Sequence, residues 1–242
     1  MPRQARLIVP DVAVHIIQRG NNRAACFRVD TDYQIYLLHL GELISRLGCL
    51  LHAYCLMTNH VHLLLTPPSA DACMALMRNL GQRYVQYFNK RHDRTGTLWE
   101  GRFRSCLTES ARYVLACYRY IEMNPVRAGM VTRPADYRWS SHACNTGRRS
   151  ETLISPHQEF LALGNDDPKR RESYGSLFED ELDSSLLRAI RESTNSGYPL
   201  GSEGFKSSVS RTIGRRLERK KAGRPPKMGS FEEDADQQEI GL

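Results

Sequence analysis

Thr58-Asn59-His60-Val61-His62-Leu63-Leu64-Leu65-Thr66 is the stretch on which the reading of this chain turns. Its alternation and its supply of apolar and β-branched residues predict a strand, in which residues i and i+2 lie on one face. His60 and His62 therefore share a face, and their imidazoles offer two neutral nitrogen donors to one point. Two such donors are half of a metal site, and the remaining ligand has to come from another element. A pair of ordinary strand histidines is the alternative that the stretch alone leaves open.

Farther along the chain, the segment from Ala111 to Arg127 supplies candidates for that remainder. Thr108 and Ser110 are both suitable N-caps, and neither Gly nor Pro interrupts the segment before Pro125, so a helix ending near Asn124 is predicted. Tyr120 and Asn124 are four residues apart and share a helix face. A phenol and an amide oxygen presented beside two histidines would make a metal-assisted nucleophilic site. Tyr118 lies about 200° around the helix from Tyr120 and is excluded as nucleophile, whereas Tyr113 lies two turns back, about 10.5 Å, and reads as a packing or ligand-stacking residue. Asn124 precedes a proline and also fits a helix cap. His15, His39, His52 and His92 have no partner at ligand spacing and read as structural or surface residues. No general base for Tyr120 is identifiable.

The elements around these two segments decide the fold. Strands are predicted over Val12–Arg19, Cys49–Met57 and Phe103–Thr108, and helices over Asp30–Leu47 and Ala70–Arg91. The order β-α-β-β-α-β-α predicts an α+β protein, a ferredoxin-like antiparallel sheet with helices on one face. A catalytic domain is expected over 1–145 and a linker over 146–175, with a short helix near Gln158–Leu163. A small helical basic module follows over 176–227, with helices at Leu182–Ser193 and after Ser202, and an acidic disordered tail over 228–242. All candidate catalytic groups fall within the first of these, so a chain ending at residue 175 is expected to keep the chemistry of the site at high substrate concentration and low salt.

Composition narrows the partners. The 242 residues carry a formal charge of +7, which favours a polyanion, because Lys and Arg release condensed counterions from phosphates. No apolar run approaches the ~20 residues of a membrane span and no signal peptide opens the chain. No ATP-binding motif is present. The seven cysteines (Cys26, Cys49, Cys55, Cys73, Cys106, Cys117 and Cys144) are scattered and read as small buried hydrophobes in a reducing cytoplasm. Arg215, Arg216, Arg219, Lys220, Lys221, Arg224 and Lys227 form a basic run, either a phosphate-contacting segment or a solvated one. Gly223-Arg224-Pro225 within it has the form of a minor-groove hook.

His60-Val61-His62 resembles the HUH motif (His, bulky hydrophobe, His), and Tyr120 with Asn124-Pro125-Val126 resembles the nucleophile helix of single-tyrosine HUH transposases. Within that superfamily the chain is similar to the REP-associated tyrosine transposases. Further matching pieces are Pro2 to Arg6, His15 to Arg23, Leu98 to Phe103, and Trp139-Ser140-Ser141, so the resemblance spans residues 1 to about 145. It implies Tyr120 as nucleophile, His60, His62 and Asn124 as ligands of Mg²⁺ or Mn²⁺, and cleavage of single-stranded or hairpin DNA through a 5′-phosphotyrosine link. Oxygen-rich octahedral coordination completed by phosphate and water suits Mg²⁺ or Mn²⁺, while the imidazoles alone would suit Zn²⁺. Candidate DNA contacts are Arg3, Arg6, Arg19, Arg23, Arg102 and Arg104, joined by Arg215, Arg216, Arg219, Lys220, Lys221 and Arg224. The DNA implied is the repetitive extragenic palindrome, the setting a nucleoid-associated cytoplasmic protein, and the favoured state a monomer, with a dimer exchanging tyrosine helices as the alternative. A replication-initiator-like nicking enzyme and a domesticated, non-catalytic DNA-binding relative are the other readings.

Overall fold

Alternating side chains on the strands supply apolar residues to both faces of one antiparallel sheet. β1 (Val14–Arg19), β2 (Leu50–Met57), β3 (His60–Thr66) and β4 (Arg104–Leu107) pair in the order β2-β3-β1-β4. The computed structural model describes residues 6–214, 216 and 217, and the backbone alone at 110 and 111. Arg3, Arg215, Arg219, Lys220, Lys221, Arg224, Lys227, the Gly223-Arg224-Pro225 hook and the acidic stretch 228–242 lie outside the described residues.

Val14, Ile16, Val61, Leu63, Leu65 and Leu107 enter a core beneath α1 (Asp30–Leu47) and α2 (Ala70–Arg91). Tyr33, Tyr36, Leu40 and Ile44 on α1, and Cys73, Leu76, Leu80, Tyr84 and Phe88 on α2, recur at three- and four-residue steps and form the inward stripes. Ser69 caps α2, accepting the Ala72 N–H at 3.0 Å. A register shift between Leu51 and Ala53 changes the parity of β2, so that Leu51 and Tyr54 reach the same core. The intervening His52 is held by Nδ1 donating to the Ser155 carbonyl (2.7 Å) and by a 2.8 Å contact of Nε2 with the Thr66 hydroxyl.

α1 and α2 occupy one face, the arrangement expected for the ferredoxin-like sheet. The opposite face is covered as well. It carries α3 (Ser110–Glu122), and in sequence order the remaining helices are α4 (Asn124–Arg127), α5 (His142–Asn145), α6 (Gln158–Leu161), α7 (Asp167–Ser176), α8 (Ser184–Ser196) and α9 (Glu203–Thr212). Ala53, Cys55, Leu64 and Cys106 from the sheet meet Tyr118, Phe160, Tyr174, Ile190 and Leu200 in this second core. The expected linker 146–175 is therefore a correction: it contains α6 and most of α7, and Tyr174 is fully buried. Its polar composition hides a few apolar residues that have a sheet face to cover. Glu109, not Thr108 or Ser110, is the N-cap of α3; its carboxylate accepts from the Ser202 N–H and hydroxyl, both at 2.8 Å. Ser202 in turn caps α9 by accepting the Phe205 N–H at 3.2 Å, as its position predicts.

Glu122 ties α3 to α5 and α7 within this second layer. Fully buried on α3, its carboxylate accepts from Ser141 Oγ (2.5 Å), Asn145 Nδ2 (2.7 Å) and the Tyr174 hydroxyl (2.7 Å). Burial pushes the carboxyl up to about 7, against the three donors. The folded chain thus holds a proton that the unfolded chain releases near pH ~4.3. Stability from this group is full below that value and is lost as pH rises toward 7, by roughly 3 kcal/mol at ~1.36 kcal/mol per pKa unit. Glu122→Gln should flatten the fall in urea midpoint between about pH 5 and about pH 7.5; equal slopes for variant and wild type would show that the carboxyl does not titrate in that window.

Candidate active site

Sheet register assembles the site. His60 and His62 lie on the face of β3 opposite Val61 and Leu63, and His62 stands in a cross-strand row with Cys55, Ile17 and Arg104. His60 is in line with Met57 and Arg19. The same face receives α3, which brings the Tyr120 ring to 5.7 Å from His62 at 82° and 5.7 Å from His15 at 76°. The His60 and His62 rings are 4.9 Å apart. One chain thus brings together both motif histidines and the tyrosine, and Tyr120 is buried in the contact.

Both histidines are neutral. Burial holds His60 down at about 4, with Arg19 as the second cause, and holds His62 well below its ordinary value, with His60, His15, Arg127 and Arg19 adding to the effect. A neutral imidazole has one bare nitrogen, and its partners decide which. His60 Nδ1 lies 2.6 Å from Asn59 Oδ1, and Asn59 Nδ2 donates to the Arg23 carbonyl at 3.1 Å, which fixes the amide with its oxygen toward the ring. His60 therefore donates from Nδ1 and keeps a lone pair on Nε2. The turn that delivers the Arg23 carbonyl depends on Gly20, where a Cβ would sit 2.2 Å from the Ala24 carbonyl oxygen. Gly20 N also donates to the Asn59 carbonyl at 2.8 Å.

α3 ends at Glu122, close to the expected end near Asn124, and Asn124 opens the short helix α4; Pro125 has no N–H with which to continue the α3 ladder. Asn124 Nδ2 donates to the carbonyls of Tyr120 (3.0 Å) and Ile121 (3.2 Å). The capping alternative is thus present in the geometry, and the amide oxygen is the atom that could face a cation. Two imidazole nitrogens and that oxygen are a suitable neutral donor set for a divalent ion. Among the described residues there is no group of three or more His, Cys, Asp or Glu that could hold one.

Sequence reasoning set His15 aside, yet it sits in the site: its Nε2 is 3.0 Å from His62 Nδ1, with the rings stacked at 5.3 Å and 11°. His15 pairs with Leu64, and His62 with Ile17, so the two histidines are diagonal neighbours on one face. Only knowledge of the sheet order could have revealed this. Arg127 was also missed. Its guanidinium lies 4.6 Å from the Tyr120 ring centroid and donates to the Tyr120 carbonyl, and its pKa is lowered by burial first. His52 and His92 have structural partners, the latter Asp32 at 3.0 Å. Tyr118 is fully buried in the core, and the His157 N–H donates to its hydroxyl at 3.2 Å.

The proposed DNA-contacting arginines divide. Arg19 and Arg104 share rows with the two histidines. Arg104 also donates to Asn195 Oδ1 at 2.7 Å. Arg23, Arg102 and Arg216 are exposed. Arg6 donates to the Phe103 carbonyl at 2.9 Å and stacks 3.8 Å from the Phe103 ring centroid, contacts that hold the N-terminal segment to the fold.

Residues 8–124 match the family model described as IS200-like transposase. A solved structure of a REP-associated tyrosine transposase bound to a REP hairpin shares the fold, with a TM-score of 0.53 and 17% identity over 65% of this chain and 92% of that one. A candidate transposase from Deinococcus radiodurans R1 aligns with a TM-score of 0.36 and 24% identity over 48% of this chain and 91% of the other. No curated protein matches.

Proposed function

From the premise that residues 8–124 belong to the IS200-like transposase family, we propose that the chain is a metal-dependent single-strand DNA endonuclease and strand transferase. The observation that carries this reading is Tyr120 lying against His62 within one chain. The Tyr120 oxygen attacks a backbone phosphorus; the new O–P bond forms as the bond to the 3′ oxygen breaks, and a 3′-hydroxyl leaves with a proton. One phosphodiester replaces another, so no nucleotide cofactor is required. Mg²⁺ or Mn²⁺ held by His60, His62 and Asn124 would act as a Lewis acid on the scissile phosphate.

Arg127 supports the same chemistry. It forms no ion pair among the described residues, so a part-buried cation beside the nucleophile is available to a phosphate. Arg19 and Arg104, in register with the two histidines, extend positive charge around the site, and the exposed Arg23, Arg102 and Arg216, with Arg3, Arg215, Arg219, Lys220, Lys221 and Arg224, are proposed to add DNA contacts. The substrate is proposed to be hairpin-forming repeat DNA, in keeping with the hairpin bound by the structural neighbour. Because Tyr120 reaches the histidines of its own chain, a monomer suffices. No helix among the described residues is long and apolar enough to cross a membrane, and the proposed place of action is the nucleoid.

Incubation with single-stranded hairpin oligonucleotides and Mn²⁺, followed by a denaturing gel, should show a covalent protein–DNA band that does not form when EDTA is present during the incubation. Absence of the band with every hairpin tried, or equal yield in EDTA, would overturn the reading. Asn124→Ala should raise the Mn²⁺ concentration for half-maximal adduct by about tenfold, the lower end of the cost of disturbing a metal site. An unchanged titration would leave Asn124 as a helix cap alone.

A further inference from the structure

We propose that Thr194 on α8 and His15 on β1 are positioning residues that set which ring nitrogen of His62 is bare, so that the C-terminal part of the chain completes the site. This rests on the reading of His62 as a metal ligand. Thr194 Oγ1 donates its single proton to the Ile190 carbonyl at 2.8 Å, the usual bond of a helical threonine. Toward His15 Nδ1, 3.0 Å away, the hydroxyl is then an acceptor. Cys106 Sγ, 3.3 Å from the same oxygen, takes the donor role too.

His15 is fully buried, with no carboxylate among its hydrogen-bond partners, and is neutral. With its proton on Nδ1, its Nε2 is the acceptor for His62 Nδ1–H at 3.0 Å. The proton order Thr194, His15, His62 thus leaves the lone pair of His62 on Nε2. Near-parallel stacking of the two rings, 11° apart, fixes the plane in which that lone pair lies. Reversing the order would require Thr194 to abandon the Ile190 carbonyl. The two motif histidines are therefore set independently, His60 by Asn59 on its own turn and His62 by a side chain 132 positions later in the sequence. Partners of this kind hold a ligand's tautomer and orientation, and their loss costs about 10- to 100-fold in metal affinity.

The test begins with ¹⁵N imidazole NMR on the metal-free full-length protein. His62 is expected to carry its proton on Nδ1 in the wild type. Thr194→Val, which keeps the shape and removes the hydroxyl, should convert it to a mixture of tautomers, and Thr194→Ser should restore the wild-type pattern. Calorimetric titration with Mn²⁺ in the absence of DNA should show affinity about 10- to 100-fold weaker for Thr194→Val and near wild type for Thr194→Ser. A wild-type His62 protonated on Nε2 overturns the proposal without any variant having to fold. So does a Thr194→Val protein with an unchanged tautomer. Failure of the metal reading shows separately, as a wild type that binds no Mn²⁺ although the His62 tautomer follows Thr194.

Discussion

Tyr120→Phe is expected to abolish the covalent protein–DNA adduct, a loss on the order of 10³-fold or more, as for removal of a catalytic nucleophile. The ring contacts with His15 and His62 and the Arg127 stack need no hydroxyl, so the variant should fold and bind hairpin oligonucleotides close to wild type. Two other tyrosines on the helix have no comparable geometry. Tyr118 is fully buried in the core, and the Tyr113 ring is 5.6 Å from the Arg112 guanidinium and packs at the margin of the same core. The measurement is adduct yield on a denaturing gel beside binding by gel shift. An adduct at wild-type yield from Tyr120→Phe would remove Tyr120 from the mechanism.

Truncation after residue 175 should also eliminate the adduct, and it should unfold the protein. It removes Ile190 and Leu200, both buried against the sheet, at about 1.5–3 kcal/mol each for the lost burial alone. The backbone at Leu200 bonds both neighbours, Leu200 N to the Leu107 carbonyl at 2.8 Å and Glu109 N to the Leu200 carbonyl at 2.9 Å. Thr194 goes with the same piece, leaving His15 Nδ1 without its partner. Native stabilities are typically ~5–15 kcal/mol, so the roughly 3–6 kcal/mol from these two side chains alone is a large share of the total. Thermal melting and adduct yield of the truncated chain decide the matter. A cooperative melt near wild type together with a full adduct would restore the independent catalytic domain over 1–145.

The contrast between these two experiments marks where sequence stops. What the sequence determined by itself rests on short-range periodicity: the alternation around His60 and His62, the placing of Tyr120 on α3, and the stripes of α1 and α2 each lie within one element, where backbone geometry dictates which side chains share a face. The β-α-β-β-α-β order was readable for the same reason. His15 was not, because its relation to His62 is a diagonal across two strands that only the order β2-β3-β1-β4 makes neighbours. The stretch 146–175 looked like a linker because its few apolar residues show no period, although Tyr174 reaches Glu122 across 52 positions. Thr194, 179 residues from His15, is an ordinary helical threonine until packing of α8 on the sheet brings it there. Contacts of that range are set by how layers close around two cores, a property of the whole chain that no local pattern encodes.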